Sequence, residues 1–148
     1  MQVRYAVEED LPAIATLSRE LARHVDDPDP GTDIEGLREN CFGPDRWARC
    51  IVAEEDGAVV GFAVFSRQYE AHTRRRSLYL SDLEVREGER RGGTGRKLID
   101  FLKDHGRAHG CSRINLELWA ENHSARPFYE RIGARFDDEV DILRIPLG

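Results

Sequence analysis

The sequence predicts a mixed α/β domain whose central sheet is covered by helices. Three observations carry this expectation. Near the N-terminus, Leu11, Ile14, Leu17, Leu21 and Val25 recur at helical spacing. In the middle, two apolar runs flank Asp56-Gly57, a dipeptide suited to a tight hairpin. Beyond them, Leu80-Ser81-Asp82-Leu83-Glu84-Val85 ends a strand-like run, and Arg90-Arg91-Gly92-Gly93-Thr94-Gly95 leads into a helical pattern at Leu98, Ile99, Leu102 and His105.

At 148 residues the chain suits one domain spanning 1–148 and is long enough to bury a core. No internal repeat or linker interrupts it. The net charge of −6 argues against a bulk nucleic-acid binder, which is usually basic, and is compatible with cationic, amine-bearing substrates. Cys41, Cys50 and Cys111 are too widely spaced for a metal knuckle and odd in number for a disulfide framework. They are expected to be reduced and buried, and no metal is expected. Nothing approaches membrane-spanning length, so no membrane partner and, by default, a cytoplasmic location are expected.

Taken in order, residues 3–6 suit a short strand. Asp10 offers an N-cap and Pro12 a first-turn proline for a helix to about His24. The stretch 26–31 breaks that helix. Its Asp26 and Asp27 suit either a solvated connector or an electrostatic lure for an ammonium group. Thr32 or Asp33 caps a second helix with Ile34, Leu37 and Cys41 inward, stopped by Gly43-Pro44. Residues 48–54 and 59–68 suit paired strands, with Gly61 marking a bulge or a close backbone approach. Residues 69–76 read as a basic connector and 77–85 as the next strand. After the glycine turn a helix runs to about His109, with Gly110 as its C-terminal cap. A strand over 114–119, a short helix with Ala125, Phe128, Tyr129 and Ile132 inward, and a last strand over 140–145 complete the order.

The strand, glycine turn and helix N-terminus together make an anion-binding device. The N–H groups of a first helical turn point outward, the helix dipole favours negative charge, and glycines allow close approach. Arg90, Arg91, Arg96 and Lys97 add positive charge around the same cradle. A pyrophosphate is the ligand this arrangement suits.

Arg90 to Gly95 fits the Gln/Arg-x-x-Gly-x-Gly signature and resembles the GCN5-related N-acetyltransferase (GNAT) superfamily. Asn122, Phe128-Tyr129-Glu130 and Gly133-Ala134 resemble that superfamily's closing motif. A closer likeness is to the diamine (spermidine/spermine) N-acetyltransferases. It rests on Glu20-Leu21-Ala22, Phe42-Gly43, Cys50-Ile51-Val52-Ala53-Glu54, Val60-Gly61-Phe62-Ala63, Leu78-Tyr79-Leu80, Asp82 and the segment 119–134. Ser81 departs from that family, which carries an acid there.

The resemblance implies a mostly antiparallel sheet with one splayed strand pair and acetyl-CoA as acyl donor, bound in the gap. Its pantetheine arm would run along the backbone of Leu83, Glu84 and Val85, bonding to the first and last. The pyrophosphate would meet N–H groups from Arg91 through Gly92, Gly93, Thr94 and Gly95 to Arg96. Asn122 matches a cofactor-contacting asparagine and equally suits a helix cap. Tyr129 matches the tyrosine that protonates the departing thiolate, against an alternative role in core packing beside Phe128. Glu117 matches a glutamate that accepts the amine proton through water, and partial burial mid-strand would suit that task. An outward-facing surface role is the alternative. Asp82 and Glu84 alternate with Leu83 and Val85 and so share a face. Asp82 with Ser81 is the expected substrate-binding pair, and the Glu84 side chain is expected at the surface. The expected activity is acetylation of a small primary amine, polyamine-like by resemblance. Protein N-terminal or aminoglycoside acetylation and a non-catalytic acyl-CoA sensor are the alternatives. A homodimer is also implied, with 141–147 available for the contact.

Overall fold

In the computed structural model, which describes residues 1–24 and 32–148, a five-stranded sheet carries helices on both faces. Two units follow one another along the chain, Met1–Glu117 and Leu118–Gly148. The first contains β1 (Gln2–Tyr5), a 3-10 turn (Glu8–Asp10), α1 (Leu11–His24), α2 (Ile34–Phe42), β2 (Arg49–Glu55), β3 (Ala58–Glu70) and β4 (Arg75–Val85). A 3-10 segment (Glu87–Gly92), α3 (Thr94–Ala108) and β5 (Arg113–Leu116) complete it. The strands lie in sequence order, antiparallel except for the parallel β4–β5 pair.

The Asp56-Gly57 turn forms as expected, both residues taking positive φ (51° and 80°). Asp33 caps α2, its Oδ1 accepting the Gly36 N–H at 3.1 Å. Asp10 departs from its expected capping role. Its carboxylate accepts from both terminal guanidinium nitrogens of Arg4, at 2.8 and 2.9 Å, and from the Val7 N–H at 2.8 Å. The nearby arginine, invisible to local helix rules, holds the carboxyl below its ordinary range.

Opposed residues of antiparallel strands share a face, so the pairings sort the core. Val52, Phe62 and Val64 meet Leu11, Ile14 and Leu17 of α1 and Leu37 and Cys41 of α2. The other face carries Phe65, whose ring meets His105 of α3 with centroids 5.1 Å apart. Phe62 is fully buried, and its truncation to alanine is expected to cost about 3–5 kcal/mol. Cys41 and Cys50 are buried as expected, whereas Cys111 is only half-buried.

A bulge interrupts β4. Val64 pairs with Asp82 but Phe65 pairs with Leu80, leaving Ser81 as the extra residue. Ser81 Oγ donates to the Val64 carbonyl at 3.1 Å and ties the irregularity down. A second register shift, between Ala53 and Glu54, leaves Val60 extra beside Gly61.

Several expected boundaries move. The basic connector shrinks to residues 71–74 because Glu70 and Arg75 pair across the hairpin. Helix α3 begins at Thr94, and β5 ends at Leu116 rather than at 119. In the second unit only α4 (Arg126–Arg131) forms, and the expected strand over 140–145 does not. A strand needs a neighbour for its backbone groups; among the described strands none pairs with this segment, and Val140, Ile142 and Ile145 are exposed. Among the described residues no helix is long and apolar enough to cross a membrane.

Candidate active site

The β4–β5 ladder ends at the pair Leu80↔Leu116, so β5 parts from β4 just where the bulge occurs. The strand pair splays there, and β4 alone continues through Leu83, Glu84 and Val85. Gly61 makes the continuation possible. A Cβ on it would stand 3.1 Å from the Glu84 carbonyl oxygen, 3.2 Å from Thr94 Cγ2 and 3.3 Å from Leu98 Cδ1. A larger residue would therefore press β4 and α3 away from β3.

The chain then passes through the 3-10 segment to Gly93, in the left-handed region at φ 83°. Lys97 N–H donates to the Gly93 carbonyl at 3.0 Å, the first bond of α3. The N–H groups of Thr94, Gly95 and Arg96 therefore precede the intrahelical ladder and are available to an anion by their place in the helix. A Cβ built on Gly93 would meet nothing within 4 Å, so open space lies before this turn. Thr94 itself is fully buried. This geometry fits a pyrophosphate at a fifteen-residue helix.

Asp82 and Glu84 do share a face, that of α1 and α2, because they pair with Val64 and Phe62. Asp82 is exposed. Glu84 departs from its expected surface position: it is half-buried, and Oε2 is fully buried without a hydrogen-bond partner among the described residues. Burial, then the Asp82 charge, push its carboxyl above the ordinary range, while a bond to Ser18 acts the other way. Nothing in the alternation of β4 distinguishes an exposed acid from a half-buried one; the difference comes from α1.

Glu117 lies just past the end of β5 and is exposed, not buried mid-strand. Asp26 and Asp27 lie outside the described residues. In the second unit, Asn122 Oδ1 accepts the Ala125 N–H at 3.3 Å and the Ser124 hydroxyl at 3.1 Å, closing the turn before α4. Tyr129 packs edge-on against Phe128, centroids 5.1 Å apart, and burial raises its phenol above the ordinary value. Gly133 ends the helix at φ 92°.

Residues 11–134 match the Acetyltransferase (GNAT) family. The chain belongs to that family. It is therefore an N-acetyltransferase, and members of the family use acetyl-CoA as acyl donor. The chain is 30% identical over 144 residues to a thialysine N-epsilon-acetyltransferase from Bos taurus, covering 91% of this chain and 84% of the relative. It is 28% identical over 89 residues to a spermine/spermidine N(1)-acetyltransferase from Bacillus subtilis, covering 58% of this chain and 59% of that one. An integron cassette protein from the mobile metagenome of V. cholerae has the same fold, with TM-score 0.81 at 23% identity over 98% of this chain and 91% of the other. The matched region of this acetyltransferase runs past Glu117 into the second unit.

Proposed function

We propose that the protein is a single acetyltransferase domain over 1–148 that acetylates a primary amine of a small molecule, a diamine or polyamine being the leading class. The observation that carries this reading is the departure of β5 from β4 at Leu80, directly ahead of a glycine turn opening α3. That arrangement suits a long, thin ligand with a phosphate end. The spermine/spermidine and thialysine acetyltransferases among its relatives support an amine on a short alkyl chain as the acceptor.

Acetyl-CoA, when bound, supplies an acetyl thioester. The backbone of Leu83 and Val85 would hold its pantetheine arm in the manner of an added strand, with Glu84 contributing backbone between them. The N–H groups of Arg91, Gly92, Gly93, Thr94, Gly95 and Arg96 would take the pyrophosphate, with Arg90 adding charge. Asn122 would contact the cofactor while closing its own turn. Tyr129 would protonate the leaving thiolate; a phenol raised by burial keeps its proton at neutral pH. Asp82, beside Ser81, would attract the acceptor's ammonium group. Glu117, being exposed, would accept an amine proton only through water.

We also propose a cytoplasmic homodimer. Exposed Val140, Ile142, Leu143, Ile145 and Leu147 support a contact through the C-terminal segment. Sedimentation at micromolar concentration should give a dimer, and a monomer at all concentrations would end this part of the reading.

A thiol-release assay with acetyl-CoA tests the activity over polyamines, amino acids, aminoglycosides and peptides. Turnover is expected with 1,4-diaminobutane or spermidine. Preference for peptides would make it a protein acetyltransferase, cofactor binding without turnover would make it a sensor, and no cofactor binding would refute the reading.

A further inference from the structure

Glu84 is placed in an unusual electrostatic position. It projects from β4 on the face lined by α1 and α2, opposite Phe62, and its Oε2 is sealed from solvent with no hydrogen-bond partner among the described residues. Among the described residues its side-chain hydrogen-bond partner is Ser18, itself almost wholly buried on α1. Ser18 cannot fully satisfy it. The Ser18 oxygen already accepts the Thr32 N–H at 2.7 Å, and its single hydroxyl hydrogen is shared between Thr32 Oγ1, 3.0 Å away, and the carboxylate.

A buried carboxylate with an idle oxygen is costly in a core and calls for a cation or a proton. Among the described residues no cation acts on it, and the bonds and charges that do come from Asp82 and Ser18. Asp82 stands two residues along the same strand face, about 7 Å nearer one end, and is open to solvent. The two acids form a gradient from exposed to enclosed, the inner one lying against the buried side chains of the core, Phe62 and Val64 among them. A primary ammonium passed from Asp82 to Glu84 matches that gradient.

We propose that Glu84 is the carboxylate that receives the acceptor's ammonium group, with Asp82 as the outer acid that draws it in. This rests on the acetyl-transfer reading for its biological setting, although the ammonium site itself is defined by β3, β4 and α1. Glu84 thereby becomes the residue that selects cationic acceptors over neutral ones of the same shape.

Calorimetric titration of 1,4-diaminobutane into the full chain and into Glu84→Gln, each with and without CoA, tests it. The glutamine keeps the shape and an acceptor for Ser18 but removes the charge. Diaminobutane affinity should fall at least tenfold, acetyl-CoA affinity should stay within twofold, and the melting temperature should hold or rise because an unpaired buried charge is gone. Equal diaminobutane affinity in the two proteins, or no binding to the wild type, overturns the inference. So does a variant that melts earlier and loses acetyl-CoA in parallel, which marks Glu84 as structural. Charge-dependent diamine binding by a protein that does not bind acetyl-CoA supports the ammonium site and refutes the acetyl-transfer reading instead.

Discussion

Tyr5 Oη lies 2.6 Å from Nδ1 of His105, joining the edge strand β1 to the last turns of α3. With Nδ1 accepting from the phenol, the imidazole proton sits on Nε2, which is buried without a partner among the described residues. Burial, then the stacked His109 ring and the charges of Arg49 and Arg67, all disfavour the imidazolium and lower its pKa.

The folded protein should therefore lose stability in mild acid. His105 binds its proton less readily folded than unfolded, so its contribution is fully present above about pH 6.5 and declines as pH falls from there through the lower folded value. Melting temperatures measured from pH 7.5 to 5 should fall, and His105→Gln should flatten the profile. Tyr5→Phe should cost about 1–2 kcal/mol near pH 7.5 by leaving Nδ1 unsatisfied.

Asp10→Asn tests the pair at the start of α1. Arg4 keeps Glu54 as a second partner at 3.0 Å and is partly exposed, which limits the damage. A loss of about 2 kcal/mol is expected by denaturant titration. In the wild type this contribution is present above the ordinary aspartate value and disappears as pH falls through the depressed folded one.

Gly61→Ala should destabilise by about 1–3 kcal/mol. Its new methyl meets the backbone of β4 and the first turn of α3 at once, so neither neighbour yields alone. Because both elements frame the proposed cofactor cradle, acetyl-CoA affinity should fall with stability. An unchanged dissociation constant would separate Gly61 from that cradle.

Gly93→Ala behaves differently. The left-handed backbone costs an alanine about 1–2 kcal/mol, but no protein atom crowds its methyl. A methyl group facing open space before α3 should obstruct a pyrophosphate, weakening acetyl-CoA at least tenfold by titration while the fold survives. Equal affinity would put the phosphates elsewhere.

Tyr129→Phe should lower kcat more than tenfold while acetyl-CoA affinity stays within about twofold, since only a proton donor is removed. On its alkaline side the wild-type rate should fall only above the ordinary tyrosine value, because burial raises the phenol. Unchanged kcat in the phenylalanine variant would leave Tyr129 as a packing residue.

Much of this was legible because it is local. Asp56-Gly57 states its turn, Asp33 its cap and Gly61 its close approach, each within a few residues of the atoms involved. Failures came from distant partners. Asp10 looks like a cap until Arg4 is placed beside it, and Glu84 looks like a surface acid until α1 brings Ser18 over it. Residues 140–145 have strand composition, but composition does not provide a neighbouring strand. The apolar run places Glu117 inside a strand that in fact stops one residue earlier.

The extra residue in β4 also sets the strand's parity. Leu78 and Leu80 before Ser81, and Leu83 and Val85 after it, all turn toward α3, an outcome that strict alternation forbids. Pairing Ser81 in regular register would invert every face beyond it, whereas deleting Ser81 would remove only the bulge and leave both faces as they are. Regular pairing would swing both acids against the apolar packing of α3 and send two aliphatic side chains toward α1. A one-residue insertion elsewhere in β4, with no bulge to absorb it, should therefore be among the least tolerated changes in the chain.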